Sequence, residues 1–113
     1  MMQYKFSKEI AKQLLLEAME LSDFVTTDEL DCSKSFHRIA TNKTPIEVLE
    51  IGLSDKHTFY SFIFRPAQGS QEEHFELGLS TMLLKPDYFL WIRLSIVDGN
   101  ALAKKYKLER YES

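Results

Sequence analysis

Hydrophobic residues recur along this chain with two different periods. Between residues 5 and 22, Phe6, Ile10, Leu14, Ala18 and Leu21 recur at spacings of three and four, and Ala11 and Leu15 widen the stripe. That spacing predicts an amphipathic helix laid on one face of a sheet. Farther along, the period shortens to two. HTFYSFIFR (57–65) is rich in aromatic and β-branched residues and is stopped by Pro66. HFELGLSTMLL (74–84) alternates, with Phe75, Leu77, Leu79, Thr81 and Leu83 on one side. Both predict strands. YFLWIRLSIV (88–97) predicts a last strand, ended by Asp98-Gly99-Asn100, with Asn100 placed to cap a short helix over ALAKKYKL (101–108).

Two stretches carry mixed signals. TTDELDCSKS (26–35) is polar and rich in turn formers, so it predicts a loop, and FHRIA (36–40) predicts one helical turn or a short edge strand. In KTPIEVLEIGL (43–53), Thr44-Pro45-Ile46-Glu47 has the form of a capping box with proline at the first helical position. Against a helix stand β-branched Ile46, Val48 and Ile51 together with Gly52, while Leu49, Ile51 and Leu53 alternate at the strand period. The strand is preferred on these propensities.

Strand register follows from gathering the apolar rows on one face, because a one-residue slip exchanges the faces. A four-residue loop from Lys85 to Tyr88 pairs Leu84 with Phe89, so that Thr81 faces Ile92, Leu79 faces Leu94 and Ser80 faces Arg93. A second four-residue loop, Ser54 to His57, pairs Leu53 with Thr58 and Ile51 with Tyr60. The expected fold is α+β in a single domain over residues 1–113. An N-terminal helix packs on a four-stranded, mainly antiparallel meander sheet, and a short helix follows near the C-terminus.

The bulk numbers narrow the function classes. The 113 residues are 44% hydrophobic and 27% charged, which suits a folded domain. A net charge of −3 and a pI near 5.6 speak against a general phosphate-backbone binder. The longest clean apolar run, Tyr88 to Ile92, is five residues, against the roughly 20 that span a bilayer. Glu17 and Glu20 interrupt any signal-peptide core. A single cysteine, Cys32, makes no internal disulfide, and a packing role is preferred for it over a nucleophile's. A cytoplasmic protein without membrane contact is the expectation.

The chemistry-bearing candidates gather on the second sheet face. Phe59, Met82, Phe89 and Trp91 form an aromatic patch there, beside a polar end that holds Arg93 and Glu76. Arg93 reads first as an ordinary outer-face residue, its stem on the sheet and its head in solvent or paired with Glu76. It reads second as an anchor for an anion or carboxylate, and third as an interface anchor. His57 and His74 fall at opposite strand ends, roughly 26 Å apart, and His37 reads as a surface residue. No metal, cofactor or catalytic set is expected: the Glu72-Glu73-His74 run lacks a second histidine at helical spacing, and there is no Gly-x-Gly-x-x-Gly or phosphate loop. The basic 103–111 stretch reads as a solvated helix with a candidate partner in the acidic residues from Glu17 to Asp31. Three functions follow in order. The first is a non-enzymatic binding module (adaptor, inhibitor or regulator) that contacts a protein partner or itself, as a homodimer, through the aromatic face. The second is a small-molecule binder or small enzyme with a cleft over Arg93 and Glu76, and the third is nucleic-acid binding.

Overall fold

The computed structural model describes residues 2–22, 24–30, 38–39, 43–81 and 87–112. Expectations for Cys32, His37, Met82 and the Lys85-Pro86 corner lie outside the described residues. The 3.6-residue stripe forms helix α1 (Lys8–Leu21), shorter at its start than the pattern suggested because Met2–Lys5 is strand β1. Strands β2 (Phe24–Leu30) and β3 (Arg38–Ile39) follow, then helix α2 (Pro45–Ser54) and strands β4 (Phe59–Arg65), β5 (His74–Ser80) and β6 (Asp87–Leu94). Helix α3 (Ile96–Lys105) and strand β7 (Glu109–Glu112) complete the described chain. The α+β class therefore holds, but the sheet is wider than the expected four strands. Its described residues form seven strands in the order β3-β2-β6-β5-β4-β1-β7, with each described pairing antiparallel. No helix among the described residues is long and apolar enough to cross a membrane.

Residues 45–53 are helix, not strand. Thr44 Oγ1 accepts from the Glu47 N–H at 3.2 Å while Glu47 Oε1 accepts from the Thr44 N–H at 3.1 Å, so the capping box closes around Pro45. Val48, Leu49 and Gly52 then share one face and are buried. Such a cap is worth about 1 kcal/mol and burying a large aliphatic side chain roughly 1.5–3 kcal/mol. These outweigh the few tenths that β-branched residues cost a helix. The expected Ser54–His57 hairpin is absent in consequence, and β4 pairs instead with β5 and β1.

The β5–β6 pair lies four residues from its expected register, with Ser80 opposite Phe89, Gly78 opposite Trp91 and Glu76 opposite Arg93. The shift is even, so the face assignments survive it. Ile96, expected in the sheet, begins α3 because Ser95 caps that helix, its Oγ accepting from the Asp98 N–H at 3.1 Å. Asn100, the expected cap, sits inside the helix and accepts from the Tyr4 hydroxyl at 2.8 Å. Phe24–Leu30, whose residues from Thr26 onward were expected as loop, is paired along its whole length with β6.

One core cluster joins all three helices to one sheet face. Ala11, Leu14, Leu15 and Ala18 of α1, Val48 and Leu49 of α2, and Leu102 and Ala103 of α3 meet Phe62, Phe75, Leu77, Leu79, Leu90, Ile92 and Leu94. The alternate strand positions, among them Phe59, Glu76, Phe89, Trp91 and Arg93, take no part in it. Two glycines set how closely the helices approach. A Cβ on Gly52 would lie 2.8 Å from Leu79, and one on Gly99 2.3 Å from the buried Phe75 ring. The basic end of α3 folds back on α1, where Glu17 accepts hydrogen bonds from Lys105 and from the Tyr106 hydroxyl.

Two outcomes test this packing. Helix propensity alone makes Gly99→Ala stabilising by about 1 kcal/mol. The contact with Phe75 instead makes it destabilising by about 1–3 kcal/mol, read as a lower urea midpoint, and a raised midpoint would refute the packing. At the other junction, the hydrogen bond to Glu17 and then burial push the Tyr106 hydroxyl up to about 12. Ultraviolet titration of Glu17→Gln is expected to bring one tyrosine ionisation back toward 10.

Candidate functional site

Alternation along β2, β6, β5 and β4 presents three rungs on the face where no described helix packs. Phe24, Arg93, Glu76 and Ile63 make one rung, and Thr26, Trp91, Gly78 and Ser61 the next. Phe89, Ser80 and Phe59 lie along the third. Trp91 occupies the centre because Gly78 opposite it has no side chain: a Cβ there would lie 2.7 Å from the indole Cε3. Phe89 packs beside the indole with ring centroids 6.4 Å apart. Both aromatics are half-buried, whereas Phe59 is 60% exposed. Phe59 stands two strands from Phe89, about 10 Å away, so it flanks the patch rather than packing in it.

The polar end differs from the expected one. Glu76 faces Arg93 across the β5–β6 pair, but its carboxylate is taken from the other side. Arg65 Nε donates to Oε1 at 2.7 Å, and His74 Nε2 lies 3.4 Å from Oε2. The His74 ring is buried, with Nδ1 2.9 Å from the Glu72 carbonyl oxygen. Partial burial raises the Glu76 pKa, but the hydrogen bonds from Arg65 and His74, with their charges, more than offset it. The carboxyl consequently titrates below its ordinary value of 4.5.

Arg93 is exposed, and its guanidinium stacks on Phe24 with Cζ 4.9 Å from the ring centroid. It forms no ion pair with another described residue. Ser22 fixes the base of this stack. Its Oγ lies 2.6 Å from the Arg93 carbonyl oxygen and 2.7 Å from that of Phe24, and accepts from the Phe24 N–H at 3.0 Å.

These side chains line an open cleft of about 340 Å³, formed by Phe24, Thr26, Arg65, Glu76, Trp91 and Arg93. Of the residues expected at the site, Trp91, Arg93 and Glu76 line the cleft, Phe89 adjoins it, Phe59 stands apart, and Met82 lies outside the described residues. Thr26 was missed because 26–35 reads as a polar loop, and Phe24 because it falls between the predicted helix and that loop. The signal that marks them is the β-prone run Phe24-Val25-Thr26-Thr27, which overlaps the start of that loop. The cleft offers two aromatic walls and an uncommitted guanidinium, suited to a planar or carboxylate-bearing group. Among the described residues no group of His, Cys, Asp and Glu is placed to hold a metal ion.

The Glu76 arrangement predicts a pH dependence. A carboxyl held below its unfolded value contributes stability that is complete above about pH 4.5 and is lost as pH falls through the folded value. Glu76→Gln should therefore lower stability by about 0.5–1 kcal/mol at neutral pH. Chemical denaturation should show that difference closing in acid, and a difference that widens in acid would contradict the pairing. Comparison with protein-family models, curated proteins and solved structures finds no match for this chain.

Proposed function

We propose that this chain is a small non-enzymatic binding module, an adaptor, inhibitor or regulator, whose open sheet face docks a protein partner or a second copy of the chain. One observation carries the reading: among the described residues all three helices pack on one side of the sheet, while the other presents Trp91 and Phe89 half-buried and Phe24, Phe59 and Arg93 exposed. Aromatic and arginine side chains at the centre of a patch are the residue types that dominate binding energy in protein interfaces. The module is read as cytoplasmic, in keeping with its single cysteine and acidic balance.

A ligand-binding reading stands second, favoured by the cleft of about 340 Å³ and the unpaired guanidinium of Arg93 above it. It calls for an anionic, planar small molecule, and extends to a small enzyme acting over Arg93 and Glu76. Nucleic-acid binding ranks third, because Lys105 of the basic helix is engaged by Glu17.

Affinity capture from native lysate, paired with light scattering, tests the leading reading. Wild type should retain a defined partner or form a concentration-dependent dimer. Trp91→Ser should weaken that association about 30-fold, the size of a hot-spot truncation. Arg93→Ala should weaken it with folding kept. A wild type that stays monomeric and retains nothing sensitive to Trp91→Ser defeats the proposal.

A further inference from the structure

Past the Phe24–Arg93 stack, the open face runs into a larger cleft of about 890 Å³. It lies between the end of α1, the 66–73 segment before β5 and the first turn of α3. Its volume is within the range of sites that hold ligands or side chains of a partner. Leu21, Phe24 and Val97 line it, and they are 48%, 50% and 77% exposed. Single exposed apolar residues are ordinary, but three converging on one concavity mark a contact surface. Glu72, Glu73 and Asp98 line the same cleft, and none forms an ion pair with another described residue. The cationic side chain at its border, Arg93, is turned onto Phe24 and also lines the smaller cleft.

We propose that this cleft docks a short basic and apolar peptide segment of a protein partner. An apolar side chain of the segment inserts against Leu21, Phe24 and Val97. Flanking lysines or arginines meet Glu72, Glu73 and Asp98. Charge complementarity selects this occupant: an acidic segment would bring like charges to three unpaired carboxylates, and the chain's net charge of −3 steers cationic partners toward it. The proposal rests on the chain being a protein-binding module and adds the chemistry of the partner.

The test uses a fluorescein-labelled peptide, Lys-Phe-Lys-Leu-Lys, against its counterpart with glutamate in place of lysine, both titrated into the full chain. The basic peptide should bind, and more weakly as salt is raised, while the acidic one should not. The double variant Glu72→Lys/Glu73→Lys should weaken binding roughly tenfold, and Val97→Ser, which leaves the charge of the cleft unchanged and removes an apolar contact, by a similar factor. Glu109→Lys changes charge on edge strand β7, four strands from β6, and should leave affinity within about twofold. Trp91→Ser should also leave it within about twofold, because Trp91 does not line this cleft. A loss with Trp91→Ser equal to that of the cleft variants places the peptide on the sheet face and overturns the proposal. So does an equal loss with Glu109→Lys, binding of the acidic peptide, or no binding of the basic one. Failure of the sheet-face reading leaves these peptide results standing, so the two fail separately.

Discussion

One-sided burial governs this molecule. Helix α1 carries the chain from β1, near one edge of the sheet, to β2, near the other; α2 carries it from β3 to β4, and α3 from β6 to β7. All three crossings use the same face, where their buried residues share a single cluster. Side chains alternate strictly along a strand. Every Leu, Ile or Phe that anchors a helix therefore sends its neighbours to the opposite face, where no described element receives them. The close approach at Gly52 and Gly99 lets three helices fit over one face. The aromatic character of the other face is then a separate property of the sequence, unexplained by the core.

This distinction also accounts for what was legible in the sequence. The parity of Leu77, Leu79, Leu90, Ile92 and Leu94 is set by hydrophobic alternation, and it survived a register difference of four residues. The absolute register depends on the length of the β5–β6 connection, part of which lies outside the described residues; where β6 stops is set by Ser95 capping α3, a local signal overshadowed by the apolar run through Val97. Residues 45–53 carried both patterns, and the closed capping box together with burial of Val48 and Leu49 decided between them. Strand β2 was hidden for another reason. Its sequence holds four consecutive polar residues, Thr26 to Glu29, with no strand alternation, and the strand is defined by pairing along β6, a non-local constraint that local propensity does not report.

The same non-local constraint changes what Arg93 does. Placed opposite Glu76, it had an obvious partner across the strand. Glu76 is held instead by Arg65, with a 2.7 Å hydrogen bond, and by the buried ring of His74. A second cation on that carboxylate would add little in a partly exposed setting. The guanidinium stacks on Phe24, a residue that Ser22 ties to the Arg93 backbone at the junction of α1, β2 and β6. The exposed arginine is thereby held by an aromatic ring and keeps its hydrogen-bonding edge available.

The Phe24–Arg93 stack also divides two concavities of opposite electrostatic character. The smaller holds two guanidiniums against the single carboxylate of Glu76. The larger holds Glu72, Glu73 and Asp98 against Arg93 at its border. A partner crossing the stack meets favourable charge only if its own acidic and basic groups follow in the matching order. Reversing that order places like charges together at both ends, and such penalties discriminate between partners more sharply than added contacts do. On the proposed function, apolar area around Trp91 would supply affinity without regard to order, so the Phe24–Arg93 boundary is where this surface would distinguish one partner from another.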